Sequence, residues 1–292
     1  DLSNAVLTNT LLVGADFSGA NLRNADFSNS KLQNTIMSDA ILTGANLSNV
    51  VLINTALADI DLTDVTLTRN DRTHANLDGN DLSDRNLVGV NLLGVDLSGK
   101  DLTNVNLTGA YLSGKDLTAT IFKGSNLSYA NLAGADLSSR NLSNTNLTGA
   151  ILVGADLSNT NLTNVILTGA DISRTNLVGA DLSGIDLTGT SLRASDLSNA
   201  NLAGVDLSGR DLIQTKLVGV DLFSRDLSNA NLSFADLTGA DLSNAVLTNA
   251  KVFGVKMPYA NLSGQDLSFM DFSYANLAGV DLSDTLLNYT KF

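Results

Sequence analysis

The side chains that could perform acid–base or metal chemistry in this chain are aspartates, one histidine, and lysines and arginines. The 292 residues include 30 acidic side chains, one histidine, 17 lysines and arginines, and no cysteine. His74 has no second histidine or cysteine to complete a metal site, and it defines no Ser-His-Asp order among the many serines and aspartates. Without cysteine there is no disulfide and no thiol nucleophile. The composition therefore predicts a protein that is not an enzyme and uses no cofactor.

The acidic residues have a spacing that indicates a structural use. All of them are Asp, and most stand directly before a large apolar residue that recurs at every fifth position. Short carboxylates and amides in such a place bond to nearby backbone at bends. The net charge of −13 still predicts a negative field that repels nucleic acid and anionic membranes. No apolar run is long enough to insert into a membrane.

The recurring apolar residue, here called the repeat centre, runs from Leu2 to Phe292 with Arg72 as the one exception. A helix turns by about 100° per residue and would scatter such residues around its circumference. A straight strand would place successive centres on opposite faces. Only a chain that bends the same way in every repeat can point all the centres at one axis. The spacing therefore predicts coils stacked about 4.8 Å apart, with backbone hydrogen bonds along the axis.

The other positions of the repeat support a coil. All 24 glycines stand two residues after a centre, which predicts a corner with an unusual backbone conformation. Two residues before the centre the side chains are mostly small, and we expect them to fill space between the inward leucines. Long cations interrupt this position six times, each followed by Asp or Asn, and we expect their stems to pack along the wall: Arg85, Lys100, Lys115, Arg140, Arg210 and Arg225.

The repeat resembles a known family. The pattern A-[D/N]-L-[S/T]-G is nearly complete at residues 15–19 (ADFSG) and 235–239 (ADLTG), and it is similar to the pentapeptide-repeat family over the whole chain. The resemblance implies an all-β fold, a right-handed quadrilateral β-helix with four pentapeptide repeats per coil. At this length it implies about 14–15 coils and a rod of roughly 70 Å. Because no linker interrupts the register, we expect a single domain over residues 1–292.

Two regions are candidates for interaction. Near His74, Arg72 replaces a side chain that would point into the apolar core. An unpaired charge cannot occupy that inward position at tolerable cost. Either the coil bulges there as a binding loop, or the site is a local defect with Arg72 in solvent. The second region is a set of aromatic residues outside the central positions, which predicts an interface, an end cap or plain surface decoration: Phe253, Tyr259, Phe269, Tyr274 and Tyr289. Since Phe269 and Tyr289 are 20 residues apart, we expect their rings to stack.

Three functions fit these observations. A regular solenoid offers long faces but no pocket, which favours a non-enzymatic scaffold for protein–protein interaction or extended assembly, with an unknown protein partner. The resemblance also includes acidic, dimeric members that protect gyrase by mimicking DNA, so modulation of a type II topoisomerase is an alternative. This chain is longer than that subgroup and lacks its inserted loop. The third function is a cell-surface or fibre component.

Self-association and compartment both stay open at this point. The expected modes of association are a homodimer through the C-terminal coils and end-to-end stacking of coils. We see no targeting segment in the chain. Its composition suits an extracellular or cell-surface protein as well as a cytoplasmic one.

Overall fold

The computed structural model describes residues 1–52, 54–57, 60, 62, 64–67, 82–88, 96–114 and 117–292. Arg72 and His74 lie outside these residues, so the choice between a binding loop and a local defect stays a prediction. The chain forms two compact units, Asp1–Leu132 with Asn144–Ala150, and Ala133–Ser143 with Ile151–Phe292. The single domain expected over residues 1–292 likewise stays a prediction.

Both units are built from bridges between residues 20 positions apart. Within the described ranges no residue lies in a helix or in a strand longer than one residue. The β-structure consists of single-residue parallel bridges, such as Val6 with Asp26 in the first unit and Asp236 with Lys256 in the second. A separation of 20 residues corresponds to four pentapeptides per coil in each unit. Residues 20 apart therefore form a column along one side of the coil.

Each repeat ends in a corner whose last residue has a left-handed backbone. The carbonyl of the centre accepts the N–H three residues later, as in Ala20 N–H to Phe17 C=O at 2.9 Å. The residue two after the centre has φ between 54° and 75° in the repeats that the structure describes. Glycine takes this conformation freely, and asparagine takes it more readily than other residues. The unusual backbone predicted from the glycine spacing is thereby confirmed.

Repeat centres and the small residues two before them form the core. In the second unit Leu197, Leu212 and Leu237 are fully buried, as are Ala230 and Ala235. Several buried threonines take the same place as these alanines. Their hydroxyls donate to the carbonyl of a centre 23 residues earlier, as Thr160 does to Leu137 at 3.0 Å.

In the repeat 235–239 every backbone N–H group has a separate partner, which explains why Asp or Asn stands before most centres. One N–H bonds to the preceding coil, two bond to the following coil, and one closes the corner. The N–H after the centre points to no other coil, and the Asp side chain accepts it. In chain order the bonds are Ala235 to Leu232 C=O (2.9 Å), Asp236 to Thr215 C=O (2.9 Å), Leu237 to Lys256 C=O (2.6 Å), Thr238 to the Asp236 carboxylate (3.0 Å) and Gly239 to Pro258 C=O (2.8 Å).

The one proline of the chain occupies the only position that this arrangement leaves free. Pro258 stands directly after the centre Met257, where no coil-to-coil bond needs an N–H. Two residues earlier the chain has Lys256 instead of Asp or Asn, so no side-chain acceptor is left without its donor. Proline is also favoured as the second residue of a tight turn. The proline thus fits the corner without disturbing the coil.

We expect Thr248→Pro to leave stability unchanged or to raise it by about 0.4–1 kcal/mol, because proline lowers the entropy of the unfolded chain. Thr248 stands in the same place as Pro258, and the residue before its centre is Val246, which offers no acceptor. The matched control is Val246→Pro, which removes the bond from Val246 N–H to Arg225 C=O at 2.8 Å. The control should cost about 3 kcal/mol. Urea denaturation measures both, and an equal loss in the two variants would contradict this account of the corner.

The carboxylates before the centres predict how stability depends on pH. The hydroxyl and then the backbone N–H of Ser18 hold the pKa of the Asp16 carboxyl below its ordinary value of 3.8. Ser268 does the same to the pKa of Asp266. As pH falls, the unfolded chain therefore binds protons before the folded chain does. Stability is fully present above the ordinary pKa and is lost as pH falls below about 4.

Urea midpoints measured between pH 7 and pH 3 test this dependence. The matched variant replaces several of these aspartates with asparagine, since Asn46 accepts the N–H of Ser48 in the same way, at 3.0 Å. We expect the Asn variant to keep its midpoint as pH falls while the parent protein loses stability. Identical pH profiles would show that these carboxylates do not set the acid limit.

Candidate binding surface

Four of the five aromatic residues singled out in the sequence flank one side of the second unit. The bridges Asn231 with Lys251 and Asp271 with Lys291 belong to a single column, because these residues follow one another at intervals of 20. The corner before the column carries Phe269 and Tyr289, and the corner after it carries Phe253 and Tyr274. We call this column and its two corners the aromatic face, defined by residues 229–234, 249–254, 269–274 and 289–291.

One corner of the aromatic face is a ladder of three rings. Phe234 and Phe253 meet edge to face with centroids 5.5 Å apart. Phe253 and Tyr274 meet in the same manner at 5.2 Å. Edge-to-face contacts of this kind are favourable arrangements of aromatic pairs. Phe234 was not among the predicted residues, although it stands 40 positions before Tyr274, which is two coils.

The opposite corner carries a stacked pair. The rings of Phe269 and Tyr289 lie 5.2 Å apart with an angle of 14° between their planes, as their spacing of 20 predicts. Phe269 is 76% exposed and Tyr289 is 81% exposed. In the two preceding coils the same place holds Asn249 and Asn229, whose side-chain amides are 3.3 Å apart. The column thus changes from asparagines to exposed aromatic rings as it enters the aromatic face.

The exposed rings sit on a backbone that aromatic residues seldom adopt. Phe269, Tyr274 and Tyr289 have φ of 65°, 63° and 55°. The left-handed conformation costs a residue with a side chain roughly 1–2 kcal/mol. Because these rings remain largely exposed, burial recovers little of that cost. The coil imposes this conformation at every corner that the structure describes, so aromatic residues stand there at a cost that glycine or asparagine would largely avoid.

A groove of about 410 Å³ lies between the two corners, so the prediction that the regular solenoid offers no pocket is wrong on this side. Phe253 forms part of one wall and Phe269 part of the other, and Lys251 and Met270 lie between them. Its remaining lining residues are Ser233, Asn249, Ala250, Val252, Ser268 and Asp271. The groove therefore combines two apolar walls with a cation and a carboxylate.

Lysines before the centres pair with a carboxylate one coil earlier, with one exception in the second unit. Lys216 contacts Asp196 at 2.9 Å and Lys256 contacts Asp236 at 2.7 Å. In the column of the aromatic face, Lys291 contacts Asp271 at 3.7 Å. One coil before Lys251 the chain has Asn231 instead of an aspartate. Among the residues described here, no carboxylate lies within ion-pair distance of Lys251.

The carboxylate of Asp271 is already engaged. It accepts the backbone N–H of Ser273 at 3.0 Å. The hydroxyl of Ser273, then its backbone N–H, and then Lys291 hold the pKa of Asp271 below its ordinary value. Asp271 is therefore ionised at neutral pH and committed to its own coil and the next. Lys251 remains the cation of the groove without a partner.

Tyr259 lies apart from the aromatic face. Its position in the coil places it on the corner after the Lys256 column, where its ring lies over Gly279. A Cβ added at Gly279 would come within 2.8 Å of that ring. Of the sequence candidates, the structure thus gathers Phe253, Phe269, Tyr274 and Tyr289 and leaves Tyr259 on another side.

The described part of the chain shows no constellation for metal chemistry. No group of three His, Asp, Glu or Cys side chains there could hold a metal ion. The aspartates are spread along columns, and each that we describe above bonds to its own corner. In the same part of the chain, no helix is long and apolar enough to cross a membrane.

Comparison with known proteins gives a consistent result. The family model described as pentapeptide repeats matches eight times, at residues 1–39, 37–69, 45–84, 101–138, 141–177, 172–209, 226–257 and 254–288. The comparison with curated proteins found no match.

Three solved structures resemble parts of the chain. HetL of Nostoc sp. strain PCC 7120, a pentapeptide repeat protein involved in the regulation of heterocyst differentiation, is 24% identical, with 84% of this chain and 91% of HetL covered and a TM-score of 0.42. A pentapeptide repeat protein of the Arabidopsis thaliana thylakoid lumen is 36% identical over 34% of this chain and 68% of its own, with a TM-score of 0.32. QnrB1, a plasmid-mediated fluoroquinolone resistance protein, is 19% identical over 70% of this chain and 92% of its own, with a TM-score of 0.28.

The family matches extend over most of the chain, and the bridges between residues 20 apart agree with four repeats per coil. The family fold is the right-handed quadrilateral β-helix predicted above. The chain belongs to the pentapeptide repeat family.

Proposed function

We propose that this protein is a non-enzymatic scaffold that binds a protein partner through the aromatic face. The observation that carries the proposal is that several exposed rings on left-handed backbone are gathered on one side of the second unit. Asparagine or glycine would serve the coil better at these corners, and both occur there in neighbouring coils. Exposed aromatic side chains are enriched where proteins meet other proteins. A partner that covers the rings would recover the free energy that the isolated chain loses.

The double substitution Phe269→Asn with Tyr289→Asn separates stability from binding. It extends the asparagine column of Asn229 and Asn249 through the next two coils. We expect the free energy of unfolding to stay unchanged or rise by about 1 kcal/mol, because relief of the left-handed strain exceeds the loss of one aromatic contact. Binding of protein fragments selected from a display library should be abolished. Urea denaturation and fluorescence anisotropy measure the two effects.

Tyr129→Asn is the matched control for this variant. Tyr129 is an exposed aromatic residue with φ of 57° at the same corner position, but it lies in the first unit. The control should retain binding of the selected fragments. A loss of stability above about 2 kcal/mol in the double variant would make the rings structural and contradict the proposal. Light scattering on the parent and the double variant shows whether the partner is a second copy, since a dimer would then become a monomer.

A second function is supported by the charge on the other sides of the second unit. In two columns there, the residues directly before the centres are aspartate, asparagine or apolar, although Arg210 lies close to some of these carboxylates and Arg225 directly precedes one in the chain. One includes Asp181, Asp221, Asp241 and Asp281, and the other includes Asp186, Asp206, Asp226 and Asp266. Regular rows of carboxylates repel nucleic acid and attract the cationic surfaces that bind it. This arrangement supports mimicry of DNA toward a type II topoisomerase as the alternative function.

Supercoiling assays with DNA gyrase test the alternative. If the acidic columns act as a DNA mimic, micromolar protein should inhibit supercoiling or protect the enzyme from quinolones. Replacing the aspartates of one column with asparagine should remove the effect and leave the fold intact, because asparagine accepts the same corner N–H. The absence of any effect by the parent protein would exclude this function and leave the scaffold proposal standing.

A further inference from the structure

The aromatic face contains one cation that the coil leaves without its usual partner. The second unit has four lysines directly before a repeat centre. In three of them, the ammonium group contacts an aspartate one coil earlier. Lys251 has the same place in its repeat, but Asn231 stands where that aspartate would be. The next carboxylate along the column, Asp271, is engaged by Lys291 and Ser273. The groove therefore presents a positive charge that the protein itself does not neutralise.

The surroundings of Lys251 restrict what could neutralise it. Phe253 and Phe269 stand on the two sides of the groove. A ligand that reaches the ammonium group thus places apolar groups against these side chains. Charge-assisted hydrogen bonds are stronger where apolar groups exclude water. The complementary ligand carries a carboxylate between apolar side chains.

The column also limits the number of acidic groups in the ligand. Coils are about 4.8 Å apart, so the carboxylate of Asp271 lies only one coil beyond Lys251. A second acidic group at that distance along the groove would find no free cation, because Lys291 is already paired with Asp271. A run of acidic residues is therefore a poor match, whereas a single acidic residue flanked by apolar ones matches both the charge and the walls.

We infer that the groove around Lys251 is the docking site for an extended segment of a partner protein in which a single Asp or Glu lies between large apolar side chains. The acidic side chain pairs with Lys251, and its apolar neighbours pack on Phe253 and Phe269. The inference rests on the proposed function, because it names the class of partner that the aromatic face binds. In such a complex, the partner's carboxylate takes the place that an aspartate one coil earlier has beside the other lysines of the second unit.

Peptides selected from a random 12-residue display library on the full chain test this inference. A second selection removes every peptide that still binds the double variant Phe253→Ser with Phe269→Asn. These substitutions restore the residues that the same corners carry in neighbouring coils, Ser233 and Asn249. We expect the remaining peptides to share one acidic residue between apolar ones. Lys251→Met should weaken their binding by about tenfold or more.

Two lysines provide matched controls. Lys256→Met removes a lysine that is paired with Asp236 on the adjoining side. Lys31→Met removes a lysine of the first unit that has the same place in its repeat and has Leu11 one coil earlier, without aromatic neighbours at its corners. Both variants should bind the selected peptides within about twofold of the parent protein. Changing the acidic residue of a peptide to its amide should cost as much as Lys251→Met, with no further loss when the two are combined.

The outcomes separate the inference from the proposed function. Peptides that require the aromatic walls but bind Lys251→Met as tightly as the parent would overturn the pairing with Lys251 and leave the scaffold proposal intact. Selected peptides without an acidic residue would do the same. If no peptide depends on Phe253 and Phe269, the aromatic face is not a binding surface and both proposals fall.

Discussion

The hydrogen bonds between one coil and the next are the interactions on which the rest of this structure depends. A single pentapeptide buries one large side chain and one small one, which is too little to hold it folded. Stacking solves this problem because each repeat gives one N–H to the preceding coil and two to the following coil. The turn closes a fourth, and the fifth is the N–H after the centre. The Asp or Asn before the centre accepts a hydrogen bond from that last N–H. The acidic character of the chain therefore follows from the need to give every backbone N–H an acceptor.

The same constraint explains where the repeat accepts change. The position two after the centre must adopt left-handed backbone, so glycine and asparagine are the residues that stabilise it. Side chains there point away from the core and take no part in the backbone hydrogen bonds between coils. An aromatic residue at that corner lowers stability slightly but projects a ring beyond the surface. The corners are thus where the repeat can acquire a binding surface without losing its register, and the aromatic face is built in this way.

Much of this architecture follows from the sequence, because the period of five excludes a helix and a straight strand, and the glycine phase marks the corner. The number of repeats per coil came from the family resemblance, and the bridges between residues 20 apart agree with it. The stacking of Phe269 on Tyr289 was predictable from that period of 20 residues. Phe234 could have been found by counting back two coils from Tyr274. The spacing of 20 between Asn231 and Lys251 can be counted in the same way, but by itself it does not single out this lysine. Its significance depends on what the other lysines before a centre contact, and a contact distance is not encoded in residue spacing.

The exception at Lys251 has meaning only because the surrounding pattern is so regular. In an irregular protein a surface lysine without a carboxylate is ordinary, and it implies nothing about a ligand. In the second unit, the other three lysines that stand before a centre each contact an aspartate one coil earlier, whereas Lys251 has asparagine there. The lysine that this substitution leaves unpaired lines a groove between Phe253 and Phe269, and Phe269 has the left-handed backbone. An unpaired cation and a group of exposed rings have separate physical origins, and their coincidence on one side of one unit is what distinguishes the aromatic face from the other sides of that unit.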